Sequence, residues 1–422
     1  MSQPVSFTAP RGMRDFYPAD MRLRNRIFDA WRAASGASGF EPFDACVVES
    51  LELLERKAGE EIVQQIYAFE DKSGRRLALR PEITPSLARM IAARQGSLTF
   101  PLKWFTVGQC FRYERMTRGR KREHYQWNLD VVGTESVSAE AEVLATTVDA
   151  LRRMGVSDSV YRIRISNREL LSEILAALGV DGTFHAAVFL ALDKRGKIPD
   201  DEIRALLTAE GLDAASCEKA FSLLEISSLE DAEQYVGADS PALKDLRDLF
   251  ALLKIYGIEE LVRFDISVVR GLAYYTGIVF EAFDTAGKLR AIFGGGRYDG
   301  LLSTIGGKAA SAVGMGFGDV VIAELLQELE GEVMSVARDG IIVGYMTPED
   351  RAAATVLTAR LRADGAMVEL QLEPQKPRAF FSRAGSSTYA EAAYIGPDDR
   401  ASGQVRLKHL DTREERSLPL AD

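Results

Sequence analysis

Residues 104–133, WFTVGQCFRYERMTRGRKREHYQWNLDVVG, form two runs of alternating side chains around a basic centre. The first run, 104–114, sets Phe105, Val107, Phe111 and Tyr113 on one side and Gly108, Cys110, Arg112 and Glu114 on the other. The second, 125–132, alternates Tyr125, Trp127, Leu129 and Val131 with Gln126, Asn128 and Asp130. Successive side chains of a strand point to opposite faces. The pattern therefore predicts a hairpin with one face in a core and the other carrying an arginine, carboxylates and amides. An edge hairpin with a solvated face would alternate in the same way. Solvated faces favour Lys, Glu and Thr, however, whereas Arg–Glu opposite Gln–Asn–Asp suits directed hydrogen bonds. Between the runs lie Arg115, Arg118, Arg120, Lys121 and Arg122, with His124 just beyond. So basic a loop in a chain of net charge −10 points to an anionic partner.

The 422 residues predict two to three domains, and 46% hydrophobic residues are ordinary for a globular chain. The acidic balance excludes a generally basic nucleic-acid coat, so nucleic-acid contact must come from local patches such as 115–122. Cys46, Cys110 and Cys217 match no zinc or disulfide framework and are expected to be reduced thiols. Three histidines and no HExxH argue against a catalytic zinc. The start, MSQPVSFTAP, lacks the charged and apolar regions of a signal peptide, and no run of about 18 apolar residues occurs, so a cytoplasmic protein with no membrane span is expected.

Working outward, Leu23, Ile27, Phe28, Trp31 and Ala34 recur at helical spacing after Pro18. A strand is predicted over 40–46, a short helix over 51–56, and strands over 66–70 and 75–80 joined by the turn Asp71–Gly74. Thr84-Pro85 opens a helix to about Arg94, with Thr84 as its cap. Glu82 then sits at a strand end facing a helix start, where it either reaches into a cleft or is a loop carboxylate. Ser138 is expected to cap a helix to about Met154, and 161–165 to form a strand. Residues 180–257 carry short amphipathic helical runs and no strand signal. Strands resume at 262–266, 278–283 and 312–317, the last (AVGMGF) glycine-rich, and a helix runs from 319 to 330. Three glycines at 294–296 allow close backbone approach to a ligand or another strand. Beyond a linker at 331–340, strands at 341–345, 367–370 and 392–395 alternate with a helix over 348–364, predicting a small α/β unit with a largely parallel sheet.

Several of these stretches together resemble histidyl-tRNA synthetases, which are class II aminoacyl-tRNA synthetases. The resemblance runs nearly the whole length. Arg11–Pro18 resembles the family's RGxRD lead, LALRPEITP (77–85) its LRPExT segment, and residues 111–133 class II motif 2. VRGLAYYTG (269–277) and GGGRYDGL (294–301) resemble the two histidine signatures. The FRYER of motif 2 (111–115) alone would indicate only class II; combined with the two histidine signatures it is specific. It implies an α+β fold: a six- to seven-stranded antiparallel sheet flanked by helices, the hairpin at its centre. The core would comprise residues 1–179 and 258–332, interrupted by a helical insertion at 180–257, with an α/β anticodon-binding domain at 338–422. Family members are homodimers, with the region near 40–60 at the interface.

The resemblance also implies a reaction. Histidine's carboxylate attacks the α-phosphate of ATP, and the histidyl group then passes to the 3′-terminal ribose of tRNA(His). Arg112 and Arg270 are the catalytic cations, with Mg2+ bridging the phosphates. Glu114, His124 and Arg297 join those two arginines around ATP. Histidine is held by Glu82, Thr84 and Gln126 at its ammonium and by Asp130, Tyr274, Tyr275 and Tyr298 at its imidazole. Arg115, Arg118, Arg120 and Arg122 approach tRNA. Against the common pattern, motif 3 ends Gly318-Asp319-Val320 rather than Gly-Leu-Glu-Arg, so an ATP-binding arginine is missing, with Arg297 the candidate to compensate. A branch similar to plant-organelle enzymes has this ending. Ala273 replaces a common aspartate, Asp130 a glutamate, and Met116-Thr117 a Pro-Gln. Two rival readings are the histidine-sensing regulatory subunit of ATP phosphoribosyltransferase, which shares this core, and an inactive tRNA-sensing paralogue.

Overall fold

The computed structural model describes residues 7–56, 63–192, 194, 198–269, 275–331 and 338–420. The chain divides into two compact units, Met1–Leu329 and Glu330–Asp422.

The strands of the first unit are β1 (Glu41–Pro42), β2 (Val48–Ser50), β3 (Tyr67–Glu70), β4 (Arg76–Leu79), β5 (Leu102–Phe111), β6 (Glu123–Val132), β7 (Tyr161–Asn167), β8 (Val262–Phe264), β9 (Ile278–Asp284), β10 (Phe293–Arg297) and β11 (Ala312–Gly318). Eight of them form one sheet in the order β1-β5-β6-β11-β10-β9-β7-β8. Its six inner strands pair antiparallel, and each edge strand is added in parallel. The β5–β6 hairpin, expected at the centre, lies to one side of it; β11 and β10 are central. The expected strand over 40–46 shrinks to two paired residues, because only Glu41 and Pro42 reach β5. The small antiparallel sheet β2-β4-β3 packs on Leu51 and Leu54.

One face of the large sheet is closed by the helices Pro18–Ala37 and Ser138–Arg153. Trp31 stacks on Trp127 at 5.8 Å, and the indole N–H of Trp127 donates to Ser35 Oγ at 3.0 Å, so the buried polar atom is satisfied. Both tryptophans are fully buried; truncating either to alanine would cost about 3–5 kcal/mol. Neither expected helix cap holds. Ile83 precedes the helix Thr84–Arg94, leaving Thr84 as its first residue, and Val137 precedes Ser138, without a side-chain cap.

Among the described residues, 180–257 contain helices and no extended strand. Ser240 accepts from Leu243 N with Pro241 behind it, starting the helix Pro241–Ile255, whose Leu243, Leu246, Leu249 and Leu253 are fully buried.

The second unit has β12 (Ile341–Tyr345), β13 (Val368–Leu370), β14 (Glu391–Ile395), β15 (Gln404–His409) and β16 (Glu415–Pro419), in the order β13-β12-β14-β15-β16. The first three are parallel, but β15 and β16 add an antiparallel hairpin. The sheet is thus mixed rather than largely parallel. The missed signal was the alternation in QVRLKH, where Val405 and Leu407 are buried and Gln404 and Arg406 exposed.

Candidate active site

Opposite the helix-covered face, the large sheet has an unusual floor. Cross-strand partners share a face, so β6, β11, β10, β9 and β7 contribute Asn128, Gly316, Gly294, Glu281 and Arg164 to one row. The next row is Asp130, Gly314, Gly296 and Val279. The two central strands present only hydrogen atoms here. The floor is bare backbone between polar walls.

The walls lean over that floor. A Cβ on Gly314 would lie 2.4 Å from Asp130 Oδ1 and 2.9 Å from a ring carbon of Tyr298; one on Gly316 would lie 2.2 Å from Gln126 Nε2. Tyr275 lies 3.0 Å from the same point on Gly296. From the other side, Gly108, paired with Gln126, lets Arg80 and Ile83 cross at van der Waals range, which brings the segment 80–84 beside Gln126. Glu82 and Thr84 are buried there. Glu82, Thr84, Gln126, Asp130, Tyr275 and Tyr298 therefore converge on one face. Arg270 and Tyr274 lie outside the described residues.

Tyr298 donates its hydroxyl to Asp130 Oδ1 at 2.7 Å, while Asp130 Oδ2 is buried with no hydrogen-bond partner. Burial pushes the Asp130 carboxyl up to about 7, against the opposing hydrogen bond of Tyr298 and the pull of the nearby Asn128 side chain. Burial, with the neighbouring carboxylate, drives the Tyr298 phenol upward, so it stays a donor. The result is one fixed donor and one open buried acceptor, suited to a ligand N–H.

Beyond His124 on the same face, a groove of about 1020 Å³ opens. Arg112, Glu114, His124, Glu281, Gly318 and the loop 117–121 line it. Arg112 donates through Nε to Pro81 O at 2.9 Å and lies 3.9 Å from Glu114. Desolvation, then the charges of Arg112 and Arg14, lower His124 to about 3, keeping its imidazole neutral. Cys110, also on this face, is pushed by burial up to about 12.

The 115–122 loop is less free than its sequence suggested. Arg118 pairs with Glu324 at 3.2 Å and with Glu328, and Gly119 N donates to Glu324 at 2.8 Å. Arg120 pairs with Glu114, and Arg122 lies 3.8 Å over the Tyr113 ring. Arg115 and Lys121 are exposed.

Arg297 does not take the compensating place around ATP that was expected of it, and it is not among the residues lining the groove. As the residue after Gly296 it falls on the opposite face of β10, level with Val313. It is buried, and its five donors go to both oxygens of Glu140, to Thr134 O, to Ser136 O and to Ser311 Oγ. Nothing remains for a nucleotide.

Two features escaped the sequence. Arg14, from the N-terminal lead, bridges Glu123 at 2.6 Å and Asp319 at 2.9 Å, and Asp319 accepts from Tyr125 N at 2.9 Å. This fastens β6 to the start of the helix Asp319–Glu330 through an arginine 305 residues away from Asp319 in sequence. The other is Arg290, in the β9–β10 connection, which lines the groove.

The chain is similar to known proteins along nearly its full length. The histidyl-tRNA synthetase family pattern matches residues 12–318 and the anticodon binding domain pattern residues 340–422. A chloroplastic/mitochondrial histidine–tRNA ligase of Arabidopsis thaliana is 45% identical over 99% of this chain and 86% of its own. A histidine–tRNA ligase of Opitutus terrae is 38% identical over 98% and 96%. In fold, histidyl-tRNA synthetase from a Nostoc species superposes with a TM-score of 0.82 at 24% identity, covering 98% and 97% of the two chains. A Bacillus halodurans structure, described as an ATP phosphoribosyltransferase regulatory subunit/histidyl-tRNA synthetase, has a TM-score of 0.77 at 24% identity over 93% and 99%. At that identity both structures speak to fold alone. The sequence patterns and the long, close relatives decide the matter: the chain belongs to the histidyl-tRNA synthetase family.

Proposed function

We propose that this protein is a histidine–tRNA ligase. It activates histidine with ATP, releasing diphosphate, and passes the histidyl group from the adenylate to the 3′ end of tRNA(His). The observation that carries this is the Asp130–Tyr298 pair. Its open oxygen, in a buried setting, accepts the N–H of a neutral imidazole. A side chain that cannot supply that donor leaves the carboxylate unpaired, which is how such sites reject analogues by orders of magnitude. Tyr275 donates to the other imidazole nitrogen, and Tyr274 belongs to the same signature. Glu82, Thr84 and Gln126 take the ammonium.

In the first step a carboxylate oxygen of histidine bonds to the α-phosphorus as the bond from phosphorus to the β-bridging oxygen breaks. The nucleophile is already ionised, so no general base is needed. The site's task is alignment and positive charge, assigned to Arg112 and, from its motif, Arg270. Glu114 and neutral His124 face the nucleotide. Bound with ATP, Mg2+ neutralises phosphate charge. Glu114 and Glu281 line the groove and are the carboxylates that would meet such an ion alongside phosphate oxygens and water. Arg115, Arg118, Arg120 and Arg122 serve the tRNA acceptor end. Residues 1–179 and 258–332 are the catalytic core, 180–257 an insertion near the acceptor arm, and 338–422 the anticodon-binding domain. The protein works as a cytoplasmic homodimer, of the branch lacking the motif 3 arginine.

Histidine-dependent ATP–diphosphate exchange by the purified protein tests this without tRNA. Robust exchange is expected. No exchange, with stimulation of an ATP phosphoribosyltransferase instead, would move the protein to the regulatory reading.

A further inference from the structure

The groove lacks the arginine that motif 3 ordinarily brings to ATP, and Arg297 is spent elsewhere. Counting Gly-Leu-Glu-Arg from Gly318 puts the missing side chain at position 321, which here is Val321. Val321 is buried and lines the groove through an aliphatic side chain. The geometry around Gly119 shows what stands beside it. A Cβ built on Gly119 would lie 3.3 Å from Val321 Cγ2 and 3.8 Å from Arg290 Cδ. Gly119 thus has the stem of Arg290 and the residue that replaced the arginine both within reach, and both line the groove.

Arg290 also differs from the other arginines of this groove. Arg118 and Arg120 pair with glutamates, and Arg164 pairs with Asp265 at 3.2 Å. Among the described residues Arg290 has neither an ion pair nor a hydrogen bond, and it is exposed where it lines the cavity. An arginine whose five donors are unengaged beside a cavity is available to a phosphate in a way the groove's paired arginines are not, and its planar fork suits a phosphate better than the point charge of Lys121, the other exposed cation there.

We propose that Arg290 is an ATP-binding residue of this enzyme. Its guanidinium supplies, from the β9–β10 connection, the charge that motif 3 supplies from the helix start in other members. The arginine has moved to a different strand connection while its place in the groove has been kept. The inference rests on the ligase reading and deepens it.

Three variants test it: Arg290→Ala, Arg290→Lys, and Arg290→Ala combined with Val321→Arg. Diphosphate exchange gives KM for ATP and for histidine separately, and equilibrium dialysis gives ATP affinity without turnover. Removing a charge-assisted contact to phosphate should lower kcat/KM for ATP about tenfold to hundredfold and weaken ATP binding in the same direction. KM for histidine should hold, and Arg290→Lys should lose less than Arg290→Ala. Arginine at 321 should restore part of the loss. Unchanged exchange and unchanged ATP binding in Arg290→Ala would overturn the proposal while leaving the ligase reading intact. So would a loss confined to tRNA charging, which would make Arg290 part of the tRNA surface. A wild type that binds ATP through Arg290 yet shows no exchange would instead count against the ligase reading alone.

Discussion

The two ends of the polar sheet face are built on opposite principles. The end assigned to histidine is buried, floored by glycine, and holds the Asp130 carboxylate with one oxygen engaged. The end assigned to ATP is open and crowded with arginines, several neutralised by the protein's own glutamates. A buried unpaired acceptor makes error expensive, so the first end selects. Exposed charges attract any polyphosphate but discriminate weakly, so the second end positions. Substitutions should therefore act differently at the two ends.

The largest effect is expected at Asp130. Asp130→Ala removes the imidazole acceptor and leaves the Tyr298 hydroxyl buried without it; kcat/KM for histidine in the exchange assay should fall by about a thousandfold or more, with KM for ATP little changed. A comparable loss in both would erase the division drawn here. The same carboxylate has a cost to the fold. Its pKa is raised to about 7 in the folded chain, so its proton stabilises the fold below about pH 4 and that stabilisation is lost as pH rises through 7, on the order of 4 kcal/mol over the window. Asp130→Asn should therefore unfold at a higher temperature than wild type at pH 8, and the gap should narrow as pH falls.

Next in size is Arg297. Alanine there strands the buried Glu140 and should cost about 3–5 kcal/mol of stability in a denaturant titration. The exchange kinetics of the protein that remains folded should be those of wild type. A selective rise in KM for ATP would return Arg297 to the nucleotide. Tyr298→Phe sharpens the histidine end. It removes the hydrogen bond that holds the Asp130 carboxyl down, so the pH below which histidine binding weakens should rise by about one unit; an unmoved midpoint would mean that another group sets it.

The smallest effect is chemical. Cys46 is exposed, while Cys110 and Cys217 are buried and the Cys110 thiol is pushed to about 12. At pH 8 a maleimide should leave Cys110 and Cys217 unlabelled in the native protein. Labelling of Cys110 would show that the polar face opens to solvent more than its packing indicates.

What the sequence disclosed, and what it hid, follows from the range of the interactions. The hairpin faces were legible because alternation is a local rule, and Trp127, Gln126 and Asp130 fall where it puts them. The same rule, applied to Gly294–Arg297, would have turned Arg297 away from the groove; the motif drew attention from it. β15 and β16 follow the same local rule, but the strand–helix alternation before them points to a parallel sheet. The central place of β11 and β10 was not legible, since nothing in AVGMGF says which strands flank it. Nor was the Arg14–Asp319 bridge, or the meeting of Arg290 and Val321 at Gly119. Each depends on three segments brought together only by the fold.

The loop at 115–122 arrives with its own counterions. Arg118 holds Glu324 and Glu328, side chains only four residues apart on one helix, and Arg120 holds Glu114. A tRNA phosphate that takes up Arg118 displaces a tethered carboxylate rather than a dissolved ion. Little salt is released in that exchange, so this loop would add far less to the ionic-strength dependence of tRNA binding than its count of arginines implies. The freed glutamates, left facing the incoming phosphates, would help to send the product away.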